Sequence, residues 1–338
     1  MFTKIVKKIV RYYSVKNINN KLEFQIPTFC NLSVNIPNKV NITPLDVHKY
    51  QNCDRLIIES TNYDIDSIKC TTENNHINIT TKNDYESDLN ITAPVKANLE
   101  VTSNSDIFVG SFNSDTVNLQ SNLGSICVDK YHGDKIQLQT QTGNITIRGP
   151  VQASNFISTV LKSGDITTGK IQCLNTQLST RAGNIKIPSS YSESSYFNVG
   201  TGKLDLNNIH KNCKISLEKG VLNLVSAGFD GMLFADLGTV EANLQLSRIT
   251  EDSFLKIDIG NLHLQIAEDC QKSCMFEIQA RNVTIDKNMQ SVNKKQNLYI
   301  FSNDAGILKP KVTIHCINGD IHISAASWQD LLKLKFNV

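Results

Sequence analysis

The feature that most constrains this chain is a short signature that recurs about every 19 residues. A corner residue, usually Gly, is followed by a polar residue, an apolar residue, a variable residue and a second apolar residue. Clear copies begin at Ser105, Gly124, Gly143, Gly164, Gly183, Gly202, Gly220, Gly238 and Gly260. The steps between them are 19, 19, 21, 19, 19, 18, 18 and 22 residues. A fainter copy lies at Asn282-Val283-Thr284-Ile285, and a clear one returns at Gly319, 59 residues after Gly260, or about three periods.

Each unit carries a second strand before the corner, such as Val117-Asn118-Leu119-Gln120 or Ile136-Gln137-Leu138-Gln139. Both strands alternate apolar and polar residues, the period-2 mark of one buried and one wet face. Ile136, Leu138, Ile145 and Ile147 should point inwards; Gln137, Gln139, Asn144 and Thr146 should point out. One unit cannot bury its apolar face alone, whereas stacked units share a continuous core. The spacing therefore predicts an all-β, single-stranded parallel β-solenoid (β-helix) of about 19-residue coils, with an irregular N-terminal cap and a short C-terminal cap. An antiparallel meander is the competing fold, and the constant corner chemistry favours stacking. Gly suits a corner that needs positive φ, and Asn or Asp beside it can bond nearby backbone.

This reading divides the chain into a presequence-like segment 1–20, lead-in strands and cap 21–100, solenoid repeats 101–326 and a C-terminal cap 327–338. The last contains the amphipathic stretch SWQDLLKLKF, with Ser327 as its N-cap. The polar run 287–296 reads as a loop.

Net charge is +2, so no global field draws the chain to nucleic acid. The first 16 residues, however, hold Lys4, Lys7, Lys8, Arg11 and Lys16 and no acid. On a helical wheel Phe2, Ile5, Val6, Ile9 and Tyr13 share the opposite side. That pattern resembles a mitochondrial transit peptide, and Arg11-Tyr12-Tyr13-Ser14 resembles a matrix-protease cleavage site. The expected location is the mitochondrion, in the matrix. Lysines interrupt any secretory apolar core, and no run of 18 apolar residues predicts a transmembrane segment. Nine cysteines (Cys30, Cys53, Cys70, Cys127, Cys173, Cys213, Cys270, Cys274 and Cys316) include no Cys-x-x-Cys, and read as reduced thiols filling the core.

Candidate chemistry follows the repeat register. Asp115, Asp134 and Asn155 each lie nine residues before a corner Gly, and Glu193 shares that register. Stacked acids could hold Ca²⁺ or form a carboxylate pair on a sugar, but Asx residues are also the ordinary choice for a turn. Asp106, Asp165 and Asp320 share their slot with Asn144, Asn184 and Asn261, an interchange that argues for turn chemistry. His315, Cys316 and His322 cluster in sequence, yet His315 and Cys316 should face opposite ways and His322 should face solvent. No Ser/Cys-His-acid arrangement, dinucleotide fingerprint or P-loop appears, so no catalytic, cofactor or metal residue is assigned.

The Gly-Asp/Asn-Ile-x-Ile corners after Pro-Val-Lys-Ala-Asn-Leu-Glu-Val at 94–101 resemble the "putative adhesin" domain, a bacterial domain of unknown function. With the basic start and the Ser327-Trp328 ending, the chain is similar to the animal branch, the family with sequence similarity 185. The resemblance covers about residues 90–325 and implies a β-solenoid with no established catalytic residue. Two functions are expected from these readings. The first is a non-enzymatic scaffold that binds an unidentified protein partner in mitochondria. The second is a carbohydrate-active or Ca²⁺-binding solenoid using Asp115 and Asp134.

Overall fold

A computed structural model of the chain describes residues 16–17, 21–60, 67–81, 87–286, 292–295, 298–301 and 309–326. Most of the presequence-like segment and all of the 327–338 cap lie outside the described residues. The chain is all-β, with a single short helix, α1 (Glu268–Ser273), among the described residues. No helix among these residues is long and apolar enough to cross a membrane. Two compact units are present, Met1–Thr140 and Gln141–Val338.

The second unit is dominated by parallel pairing between successive repeats. One inward column runs Ile145, Ile166, Ile185, Leu204, Leu222, Ala242, Leu262 and Ile321, each the parallel partner of the next. All eight are buried. Strict alternation produces this: the polar residues between them reach solvent, and each apolar one lands on its equivalent in the neighbouring strand. Among the described residues of this unit, the antiparallel pairs join Met275–Gln279 to Leu298–Phe301 and Leu298–Phe301 to Val292–Lys295. The 287–296 run is therefore not wholly a loop, since Val292–Lys295 is a strand. The rest of that run lies outside the described residues.

The 59-residue gap before Gly319 does not hold three stacked copies. The strand Asp320–Ala326 pairs directly with Leu262–Ala267, and Asn282–Ile285 pairs with its other side. Likewise Lys311–Asn318 lies between Ser253–Ile259 and Met275–Gln279. The chain thus leaves the stack after Leu262–Ala267, passes through α1 and residues 275–310, and returns to fill the position it skipped. The first unit interleaves similarly: Asn31–Asn35 sits between His76–Thr81 and Asn98–Ser103, and Val40–Pro44 between Leu89–Ala93 and Ile107–Asn113. Here too antiparallel strands accompany the interleaved end, with Lys21–Gln25 on Arg55–Ser60 and Arg55–Ser60 on Leu89–Ala93.

Corners are tied by buried hydroxyls. In the first unit Ser121 Oγ donates to the Ser105 carbonyl at 2.8 Å and accepts the Gly124 N–H at 2.9 Å. Thr140 Oγ1 donates to the Gly124 carbonyl, and in the second unit Thr180 Oγ1 donates to that of Gly164, both at 2.9 Å. Such bonds give the corner carbonyls a buried donor. One corner differs from the sequence reading. Gly220 pairs with Val240, not Gly238, and Gly260 packs against the Val240 backbone. Gly238 instead lies against the Glu218 carbonyl, two residues before the corner.

Candidate functional site

Parallel register also aligns the outward side chains, and in the second unit it builds a ladder of rings. Gln177, Tyr196, Lys214, Phe234, Phe254 and Thr313 are successive partners. Each lies six residues before its corner, at Gly183, Gly202, Gly220, Val240, Gly260 and Gly319. Lys214 Nζ lies 5.6 Å from the Tyr196 ring centroid and 5.5 Å from that of Phe234, a cation held between two π faces. Phe234 and Phe254 are 5.7 Å apart at 30°, and His315 meets Phe254 edge-on at 5.5 Å. The rings stay partly exposed, with Lys214 exposed beside them.

Charges flank the ladder. Lys256 pairs with Asp258 at 2.8 Å and with Asp236 at 3.8 Å, one outward slot from the phenylalanines. Exposed pairs of this kind contribute little to stability, but they set a polar border to an apolar strip. A shorter stack occupies a turn: Tyr191 lies 4.6 Å from His210 at 13°, with Lys170 over Tyr191 at 4.9 Å. Burial lowers the His210 pKa, opposed by nearby Asp230.

The residues singled out from sequence fall elsewhere. Asp115 and Asp134 are in register at a turn, and both are exposed. The Asp134 and Lys135 N–H groups donate to the Asp115 carbonyl at 3.0 and 2.9 Å. Buried Tyr131 places its hydroxyl against the carbonyls of Ser114, Asp115 and Lys135 at 2.9, 2.9 and 3.0 Å. Glu193 does not share the Asn155 column. Asn155 aligns with Asn175, Ser194 and Asn212, and Asn175 Nδ2 donates to Asn155 Oδ1 at 3.1 Å. The chain takes four steps from Val160 to Gly164 but three from Thr180 to Gly183, which displaces Glu193 by one position. Glu193 instead pairs with Lys211 at 3.8 Å.

The Asp/Asn corner slot is a hydrogen-bond ladder. Asp106 Oδ1 accepts the Ser125 N–H at 2.7 Å in the first unit. In the second, Asn144, Asp165 and Asn184 accept the N–H of Asp165, Asn184 and Lys203 at 2.9, 2.7 and 2.9 Å. Asn261 receives that of Asp320 at 3.2 Å. An acceptor oxygen is all this role needs, so Asp and Asn serve equally.

The sequence cluster of His315, Cys316 and His322 is not brought together. Cys316 is buried, donates to the Gly260 carbonyl at 3.4 Å, and has its pKa raised by burial and then by Asp320 and Glu241. His322 instead meets His263 edge-on at 5.7 Å and lies 3.8 Å from Asp286. Among the described residues no group of three or more His, Cys, Asp or Glu side chains could hold a metal ion.

An all-β protein of parallel repeat ladders, with a ring-bearing outward strip among the described residues, is what these observations define. The chain belongs to the Toastrack DUF4097 family, whose sequence profile matches residues 53–324. It is similar to a solved structure from Parabacteroides distasonis described as a "putative adhesin", at 8% identity and a TM-score of 0.41, covering 93% of this chain and 98% of that one. A second from that organism, described as a "putative lipid binding protein", shows 12% identity and a TM-score of 0.42, covering 91% and 96%. A "putative adhesin" from Bacteroides fragilis shows 9% identity and a TM-score of 0.32, covering 90% and 96%.

Proposed function

We propose that each unit winds as a parallel β-solenoid, and that the chain is a non-enzymatic scaffold which binds a protein partner in the mitochondrial matrix. The single observation that carries the binding role is the Tyr196–Lys214–Phe234–Phe254 ladder with its charged border. Aromatic side chains that remain partly wet, on a rigid surface, with polar groups at the rim, have the make-up of an interface core. Their strands are fixed by pairing on both sides, so little conformational freedom is lost on docking. The basic, acid-free segment 1–16 supports mitochondrial import and the animal branch of the family, the family with sequence similarity 185.

Two measurements test this. A reporter fused to residues 1–25 should enter mitochondria; cytosolic or secreted signal would overturn the location. Proximity labelling in mitochondria should then compare the wild-type chain with a Phe234→Ser/Phe254→Ser variant of unchanged circular dichroism. At least one partner is expected to fall by about 10-fold or more, since a centrally placed ring contributes roughly 2 kcal/mol. Identical partner profiles would overturn the ladder as the binding face.

A further inference from the structure

We propose that Cys270 and Cys274 form a dithiol pair that a hydroperoxide closes to a disulfide. Cys270 lies within α1 and Cys274 immediately follows it, with the Cys274 N–H donating to the Cys270 carbonyl at 3.1 Å. That bond is a helical turn, and four residues of helix rise about 6 Å. Disulfide geometry tolerates Cα separations of about 4.4–6.8 Å, a range this turn falls within. The two thiols lie close enough to interact, and both side chains are fully buried.

The environment separates the two thiols. Cys274 is held below the ordinary thiol value, first by its interaction with Cys270, with Ser273, the Ile249 backbone and the Lys309 ammonium adding to it against the effect of burial. The same interaction and burial push Cys270 up. Cys274 is thus the attacking sulfur and Cys270 the resolving one. Access comes through α1 itself. Its N-terminus has no side-chain cap, and its Lys272–Glu268 ion pair is exposed. Peroxide would reach the thiols when this six-residue helix opens locally.

The chemistry balances without another reagent. The Cys274 thiolate attacks one peroxide oxygen: an S–O bond forms, the O–O bond breaks, and the other oxygen leaves as an alcohol or water after taking a proton. Sulfur is oxidised to a sulfenic acid and the peroxide is reduced. The Cys270 sulfur then attacks the sulfenic sulfur. The S–S bond forms, the S–O bond breaks, and hydroxide leaves with the Cys270 proton as water. The product links α1 to the start of Met275–Gln279, at the point where the chain leaves the stack.

The test uses the reduced full-length chain and a few equivalents of hydrogen peroxide. Free thiols are then alkylated, and the chain is digested with trypsin and mapped by mass spectrometry. Cleavage after Lys272 separates the two cysteines, so a disulfide keeps two peptides joined with the loss of two hydrogens. The expected result is that this cross-link forms before other thiols are consumed, and that a dithiol reductant reverses it. In Cys270→Ser, a sulfenic-acid trap should label Cys274. The proposal is overturned if Cys270 and Cys274 stay reduced while the part-exposed Cys53, Cys70 or Cys127 are oxidised, or if the pair proceeds separately to sulfinic acid.

Discussion

Gly183→Ala is expected to lower the melting temperature by roughly 10 °C, a loss of about 3–5 kcal/mol at about 2–4 °C per kcal/mol. Gly183 sits at φ +150°, and a Cβ there would overlap the Gly164 carbonyl in the neighbouring repeat. Its own carbonyl is met in the same way by Gly202, whose φ is +151°. The corner glycines therefore stack so closely that backbone touches backbone. A methyl group adds conformational strain, and it also drives adjacent strands apart where Ile166, Ile185 and Leu204 share one column. Lys186→Ala, three residues on and exposed, is the control and should shift stability by no more than about 0.5 kcal/mol. Thermal denaturation of both variants reads the difference. A Gly183→Ala protein that melts within about 2 °C of wild type would show that the corners are not close-packed.

Tyr131→Phe should cost about 1–3 kcal/mol, although it removes one oxygen atom and leaves the ring in place. The ring is 1% exposed, and the hydroxyl stands among the carbonyls of Ser114, Asp115 and Lys135, to one of which it donates at a time. Replacing it takes the donor from a buried turn, the costly half of a broken hydrogen bond. The phenol also carries a pH signature. Burial pushes its pKa up, with Asp134 and Asp115 adding to the shift. A phenol whose folded pKa exceeds its unfolded value, about 10, contributes stability that is complete below that pH and declines above it. Wild type should lose stability above about pH 10 more steeply than Tyr131→Phe. Urea melts at pH 7 and pH 11 measure both effects; equal stability at pH 7 would contradict the role given to the hydroxyl.

Alternation and period were legible because each is local. Ile136, Leu138, Ile145 and Ile147 are buried as their parity requires, and the Asp/Asn slot reads as turn chemistry from composition alone. Register was less legible. Counting from Gly238 places Phe234 four residues before its corner, whereas Tyr196, Lys214 and Phe254 lie six before theirs. A two-residue slip leaves every side chain on its proper face, so the alternation cannot reveal it. Moving the corner to Val240 puts all four in one column, and only then does the ring ladder appear. Strand order was hidden for a related reason. The signature at Gly319 would be the same whether it stacked on Gly260 or three copies beyond it. Cys270 and Cys274 lie four residues apart in the sequence, but their juxtaposition depends on one turn of helix set among strands.

The interleaved return of residues 311–326 completes the ladder, because it seats Thr313 beside Phe254 and brings His315 against the Phe254 ring. A chain carrying His263→Cys and His322→Cys tests it most directly. The two positions are parallel partners, and their native rings are 5.7 Å apart. Neighbouring strands lie about 4.8 Å apart, so three stacked copies would instead separate them by about 14 Å. A thiol-reactive linker of about 8 Å should join residues 263 and 322 within one chain, as read by peptide mapping. Failure to join them, with both cysteines modified singly, would contradict the strand order and the ladder it completes.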